Sequence, residues 1–554
     1  MFRKIFLIPF LFATMAGHAQ DLKDNFYVKI LSEELNRNIQ KLHLPDLEKP
    51  FFISYRLRKQ NNLTIRAERG EIVTTVKTPA ENTTGGVKLR VGNYHRNFDY
   101  SFFDGSFINL PDEPDVDEYK RIYWMETDRA YKNVSQQYSA SLASLKRVNV
   151  DEKELALDDM SKITAVVKDF GSLKPINANR QKWEIMLKEL SQMFTKYPVI
   201  TTSYCQLNFN NYEDYLVTSE GTQMRKPGES VTVSFFASAM NEDGSVENEG
   251  YSFYGANVDE IPSADVLRGK VNELIMKIIE AGNAKKFENS YLGPVLFMDD
   301  AAPALMQNLF GTSLVTRRKS ILGYDYGSTD YEDKLGQKLV STDLTVTAAP
   351  KLQYFDGRKV TGSFEIDDDG VIPPDSLVLI GKGLLKSLMN GRTPTQKFPK
   401  SQGFARSFTG RNINPGVLKV TSSNTIAADS MKSRLVKLAR EEGLKEAYIV
   451  KDNNYSTSGL YHIDVATGVE TRISNARLSN FSIRSMRRFV TASDQLKLRN
   501  TSNLSIIAPE SFIVNEVEIE KVNTTVKPKP FIVSNPLLDK KVVSVQENNR
   551  KRRK

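Results

Sequence analysis

Apolar residues at Phe26, Val28, Ile30, Leu31, Leu35, Ile39 and Leu42 recur at a largely helical period, and Pro45 ends the run. The pattern then changes to alternation. Residues 51–60 (FFISYRLRKQ), 63–78 (LTIRAERGEIVTTVKT) and 85–103 predict a small antiparallel sheet, with Gly70 at a turn and Gly85-Gly86 opening a further strand. Residues 115–147 contain no Gly or Pro and predict one long helix. A second amphipathic helix follows, with Trp183, Met186, Leu187, Leu190, Met193 and Phe194 three or four apart and Pro198 beyond them. Three alternating stretches, 199–211, 212–226 and 229–245, predict strands, and 263–287 predicts another helix. In the C-terminal half the pattern predicts strands at 344–352, 359–371, 447–453, 458–472, 478–493 and 503–522. A strand, tight turn and strand are expected around Gly381-Lys382-Gly383, and a helix over 429–442.

One stretch, YLGPVLFMDDAAPALMQNLFG (Tyr291–Gly311), changes period in its middle. Pro294–Phe297 reads as a strand. Ala302, Leu305, Met306, Leu309 and Phe310 then fall at helical spacing. Asp299 and Asp300 suit a helix N-terminus, where a carboxylate accepts free N–H groups and meets the positive end of the dipole. Pro303 fits the first turn and Gly311 a stop. The fold class expected is α+β: an N-terminal α/β region and a C-terminal domain with a large antiparallel or mixed sheet. The expected divisions are a leader at 1–19, an N-terminal α+β domain at 20–112, a central domain at 113–288, a C-terminal domain at 289–524 and an extended basic tail at 525–554.

The leader changes the picture of where the chain works. Arg3 and Lys4 precede an apolar run from Ile5 to Met15 and the small residues Ala16, Gly17 and Ala19. This is the pattern of a secretory signal cleaved after Ala19. The run is too short to span a bilayer and no later segment is apolar enough to do so. The chain is therefore expected to be exported, periplasmic or secreted. Its formal charge of +9 is local, because the leader and the terminal run Arg550–Lys554 hold seven of the cations, leaving +2 for the body. No basic stretch interleaved with aromatic residues points to nucleic acid. Cys205 is the single cysteine, so no intrachain disulfide can form, and its alternating surroundings indicate a buried thiol.

Candidate chemistry is sparse. The four histidines are His18, which leaves with the leader, His43, His95 and His462; no two stand at helical spacing. A zinc hydrolase needs three protein ligands, commonly two histidines on one helix face, with a glutamate as base. Asp367-Asp368-Asp369-Gly370 lacks the spacing and closing glutamate of a calcium loop and reads as an acidic turn. The glycines around Lys382 read as a hairpin rather than a phosphate cradle. There are no repeats or stalk-like segments of the kind a surface-adhesive protein carries.

An ordered set of stretches resembles the TldD/PmbA family of zinc-dependent proteases and their inactivated homologues, in its secreted branch. They are RIYWMETDRAYK (Arg121–Lys132), LVTSEGTQM (Leu216–Met224, with Thr218 where the family has Asn), GPVLF and GSFEIDDDGV (Gly362–Val371). LVLIGKGLLKSLMNGRTP (Leu377–Pro394), SQGFARS (Ser401–Ser407), NINPG (Asn412–Gly416), GLYHIDVATGVETR and SIIAPESFIVNEVEIEK continue the order. Active members resemble one another in an H-E-x-x-x-H helix and a later cysteine. The resemblance sets MQNLFG (Met306–Gly311) on that helix, so Met306 and Gly311 stand at ligand positions and Gln307 at the base. Glutamine cannot take a proton from water as a carboxylate does, and Cys205 precedes the helix. The resemblance thus implies an exported metallopeptidase homologue with no catalytic residue, zinc or other cofactor. It would act as a non-catalytic peptide-binding protein, or as the metal-free subunit of a homo- or heterodimer with a paralogue. The alternative is a hydrolase with a non-family site, for which Asp299, Asp300 and Asp367–Asp369 are the available carboxylates.

Overall fold

The computed structural model describes residues 22–98, 106–172, 178–240, 246–318, 320–322, 331–406, 412–452 and 459–522. The leader and the basic tail lie outside the described residues. The N-terminal half contains α1 (Phe26–Lys41), β1 (Pro50–Glu68), β2 (Glu71–Val91), β3 (Ser106–Leu110) and α2 (Val116–Leu145). These are followed by β4 (Val167–Asp169), α3 (Arg180–Gln192), β5 (Ile200–Thr218), β6 (Gln223–Met240), β7 (Val246–Gly255) and α4 (Ala264–Gly282).

All seven strands form one sheet in the order β3-β2-β1-β5-β6-β4, with β7 also on β6. Segments 20–112 and 113–288 therefore share a sheet, joined where β1 pairs antiparallel with β5. Strict alternation explains its two faces. Ile53, Tyr55, Leu57, Ile65 and Ala67 of β1, with Leu207, Phe209, Val231, Val233 and Phe235, are buried beneath α1–α4. The residues between them, from Arg56 to Arg66 on β1 and from Tyr204 to Asp214 on β5, form the opposite face, which is almost entirely polar.

Several strand limits differ from the expectation. Residues 51–60 and 63–78 were read as separate strands, but β1 runs unbroken to the Arg69-Gly70 turn, where both residues have positive φ. Gly85-Gly86 opens no strand. It lies inside β2, where a Cβ on Gly85 would stand 2.6 Å from Ile108 and from the Tyr123 hydroxyl, so the glycine admits their packing. Likewise 199–211 and the first part of 212–226 are one strand, β5, and after the turn at Ser219–Thr222 the remainder begins the antiparallel β6. In these long ribbons backbone pairing continues through the polar residues that had suggested breaks.

The described residues of the C-terminal half hold two further large sheets and a two-stranded ribbon, Tyr354–Phe355 with Arg358–Lys359. The main elements of this half are β8 (Tyr291–Phe297), α5 (Ala301–Phe310), β9 (Leu344–Ala348), β10 (Leu377–Gly381), β11 (Leu384–Leu385) and β12 (Val417–Ser422). Then come α6 (Met431–Glu441), β13 (Glu446–Val450), β14 (Leu460–Asp464), β15 (Glu470–Ser474), β16 (Phe489–Ser493), β17 (Leu496–Asn500), β18 (Ser505–Pro509) and β19 (Phe512–Lys521). One sheet has the order β11-β10-β9-β12-β18-β17 and the other is nine-stranded, built around β16-β19-β8-β13-β14-β15. Both parallel and antiparallel pairs occur, so the α+β class with large mixed sheets holds.

The two sheets enclose the largest core, and α5 lies in it: Leu305, Met306, Leu309 and Phe310 are all buried. The hairpin at Gly381–Gly383 is as expected, with positive φ at Lys382 and Gly383. The strand expected at 359–371 is absent beyond Arg358–Lys359, because the carboxylate of Asp367 closes the backbone into a turn. The middle of 478–493 is a 3-10 turn, Ile483–Arg488. Gly311 ends α5 with φ −62°, not in the left-handed region, and its N–H still donates to the Gln307 carbonyl.

Candidate functional site

A cleft of about 500 Å³ opens where the first sheet meets the C-terminal sheets. Its floor is the polar face of the first sheet, at Tyr204, Ser234 and Phe236. One wall is β7 and α4, and the other is β17 with the start of α5. Both β7 and β17 are terminal in their sheets: among the described residues each pairs with a neighbour on one side only. Residues of both strands line the same space. An edge of this kind can accept an added strand through main-chain hydrogen bonds.

The charged lining is largely self-neutralised. Lys497 reaches Asp300 at 3.0 Å, Lys277 reaches Asp452 at 2.5 Å, and Lys270 reaches Glu273 at 2.7 Å. Arg472 grips Glu249 in a buried pair that ties β15 to β7. Burial pushes Glu273 up, but Lys270 and Lys277 outweigh it and hold the carboxyl below its ordinary value. On the floor Tyr204 stacks on Phe236 with centroids 5.3 Å apart, and the Arg66 guanidinium lies 3.9 Å above Tyr204.

The positions that the resemblance sets on a metal helix sit just behind this wall. Met306 is fully buried in the core. Gln307 Oε1 accepts a hydrogen bond from the Arg499 guanidinium of β17. A Cβ at Gly311 would stand 2.6 Å from the Gln307 carbonyl and 3.1 Å from Leu504. A core-packed thioether, an amide bound by a cation and a residue without a side chain do not fit a zinc ion. Among the described residues, no three His, Cys, Asp or Glu converge as a metal set.

The remaining candidates are scattered. His95 stands 3.1 Å from Asp158 and His462 3.3 Å from Glu446, while His43 is exposed on the far side of α1 in sequence. Cys205 is buried on the helix-covered face of β5, and burial pushes its thiol well up.

The two acidic runs differ from each other. Asp300 caps nothing: its side chain makes no bond to the α5 N–H groups and turns to Lys497 instead, while Asp299 takes a positive φ of 56°. Burial raises Asp299. In the other run, the Asp367 carboxylate accepts N–H bonds from Asp369, Val371 and Ala405 at 2.8–3.0 Å. Burial and the Asp369 charge push Asp367 up to about 8. Arg56 bonds the Asp368 carbonyl at 2.6 Å and Asp369 at 3.0 Å, joining this turn to the polar face of the first sheet. The turn is therefore acidic, as expected, but it is an interior joint rather than a loop at the surface.

The motif LVTSEGTQM is also a joint. It forms the β5–β6 turn, and Glu220 accepts two bonds from Arg392 at 2.7 and 2.8 Å and one from Tyr94 at 2.7 Å. Sequence reasoning did not single out Arg499, Lys497 or Arg392. Only the alternation of β17, with Lys497 and Arg499 on one side, could have marked two of them.

A layered α+β chain with a cleft between a helix-backed sheet and a sheet sandwich is a recognisable class. Residues 289–515 match the family model of the PmbA/TldA metallopeptidase C-terminal domain. Three solved structures share the fold across both halves. One is a proposed modulator of DNA gyrase from Bacteroides thetaiotaomicron, with TM-score 0.59 and 12% identity, covering 90% of this chain and 100% of that one. Another, from Thermotoga maritima and also described as a proposed gyrase modulator, has TM-score 0.57 and 10% identity, covering 89% and 100%. TldE from Thermococcus kodakarensis has TM-score 0.54 and 12% identity, covering 88% and 99%. None of the curated proteins compared has a matching sequence. The family match covers the C-terminal part of the chain, residues 289–515, and the chain as a whole shares the fold of these structures.

Proposed function

We propose that this chain is an exported, non-catalytic TldD/PmbA-type protein that binds an extended peptide segment in the cleft between β7 and β17. The observation that carries this reading is the Arg499–Gln307 bond beside two unpaired strand edges. A guanidinium occupies the neighbourhood in which the family would place a dication, and the adjoining backbone edges can still pair with a peptide. Whether that peptide is free or belongs to a paralogous subunit, the same edges would receive it. Export rests on the pattern of residues 1–19, and N-terminal sequencing of the secreted form should begin at Gln20.

Elemental analysis of the purified protein tests the central claim: zinc well below one equivalent per chain is expected, with the fold unchanged by chelator. About one tightly held zinc per chain would overturn it. Affinity purification from the exported fraction should recover either peptides or a paralogue carrying H-E-x-x-x-H.

A second reading, a hydrolase with a non-family site, draws on Asp299, whose raised pKa is a property of general acids and bases. It requires peptide cleavage that persists in excess chelator and is lost in Asp300→Asn. A preparation that cleaves no peptide in a broad library eliminates it.

A further inference from the structure

The polar floor runs on from the cleft to a second place with chemistry of its own. From Ser234 to Lys226 along β6 is eight residues, roughly 26 Å of extended strand. Here Arg58, Asp214 and Lys226 are direct cross-strand neighbours on β1, β5 and β6. Arg58 pairs with Asp214 through two bonds of 2.6 and 2.7 Å and lies 4.5 Å above the Tyr212 ring. Tyr212 in turn lies flat across Gly228, where a Cβ would stand 2.3 Å from the ring. That leaves a firm base under the guanidinium.

The Asp367–Asp369 turn closes this end, and it holds Arg406 in place. The Ala405 N–H donates to Asp367 and the Asp368 N–H donates to the Ala405 carbonyl at 2.9 Å, while the Arg406 guanidinium covers the Phe364 ring at 4.2 Å. Two cations here feel the Asp368 charge without a close ion pair among the described residues. Among the described residues Lys226 has no hydrogen bond or ion pair, and Arg406 Nη1 is shut from solvent with no partner. Both side chains nevertheless keep partial exposure. Burial and the adjacent Arg406 lower the Lys226 ammonium, against the opposing pull of Asp368, Asp214 and Asp367.

We propose that Lys226 and Arg406, above the Arg58–Tyr212 stack, form a binding subsite for a carboxylate. Charge selects the ligand. Arg56 is paired with Asp369 and Arg58 with Asp214, while Lys226 and Arg406 share the Asp368 charge with them. A further carboxylate would complete that set, and its two oxygens match the fork of the Arg406 guanidinium. The subsite stands independently of the cleft: it needs an anionic group, whereas strand edges need only backbone.

Calorimetric titration of the full chain with four probes tests this: N-acetyl-trialanine with a free carboxyl, its C-terminal amide, N-acetyl-Ala-Asp-Ala amide, and inorganic phosphate. At least one carboxylate peptide should bind ten times tighter than the neutral amide and tighter than phosphate. Which one does so distinguishes a chain terminus from an acidic side chain as the source. The advantage should fall tenfold or more in Lys226→Gln and in Arg406→Gln, and survive in Lys226→Arg, with thermal unfolding checking that each variant is folded. Equal binding of amide and carboxylate peptides, a preference for phosphate, or an advantage unchanged in both glutamine variants would overturn the proposal. Loss of cleft binding alone would leave the carboxylate advantage intact.

Discussion

The turn before α5 and the turn at Asp367–Asp369 both set aspartates against basic side chains of distant strands, but in different surroundings. Asp300 keeps 30% and Lys497 36% of their side-chain exposure, and their pair lies on the rim of an open cleft. Arg56 and Asp369 keep 8% and 7%, with the backbone of the turn saturating Asp367 beside them. In the first case water screens the charges and the pair is replaceable. In the second, each carboxylate is part of the joint between the first sheet and the C-terminal half, and its loss leaves donors buried without acceptors. The open pair can therefore change with ligand, and the buried joint keeps the floor and walls of the cleft in register.

That contrast can be broken most directly at Asp367. Asp367→Ala strands three backbone N–H groups, at about 1–3 kcal/mol each, so urea unfolding should show a loss of several kcal/mol. A loss below about 1 kcal/mol would mean the turn is not the joint described.

A smaller effect is the dependence on pH. Asp367 has a raised pKa in the fold, so the folded state binds the extra proton between about pH 4 and 8. Stability from this group is fully present below pH 4 and lost as pH rises through about 8, with a slope of at most about 1.4 kcal/mol per pH unit. Asp368 works the other way, since Arg406 and its neighbours hold it low despite burial, and its contribution disappears only in acid. Asp369→Asn removes the like charge and should flatten the slope between pH 5 and 8 in unfolding curves taken across that range. An unchanged slope would assign the effect elsewhere.

The smallest change is expected at the rim. Lys497→Ala breaks an exposed pair and should alter stability by less than about 1 kcal/mol. A larger loss on thermal unfolding would make the cleft wall as rigid as the interior joint and erase the distinction.

Much of the architecture was legible because it is written in local periodicity. The 3.6-residue repeat marked α1, α3 and α5, and a run without Gly or Pro marked α2. The turn at Gly70 and the hairpin at Lys382-Gly383 followed from residues that accept positive φ. The strand-to-helix change at Phe297 was equally visible. What failed was strand length, as at Gly85, where a residue that usually marks a turn instead makes room for Ile108 and Tyr123 from other elements. At the candidate site the missing histidines and glutamate were plain, and so were the three aspartates of 367–369. Their partners were not, because Arg499 is 192 residues from Gln307 and Arg56 is 313 from Asp369.

The sequence by itself determined the period of each element, the alternation that splits the first sheet into apolar and polar faces, and the absence of zinc-ligand chemistry from α5. Tertiary structure alone decided that β7 and β17 line one cleft, that one acidic run is exposed and the other buried, and that Lys226 and Arg406 meet beside Asp368. The physical reason is that periodicity is a property of neighbouring residues. Burial, charge balance and strand pairing depend on which distant segments close upon one another.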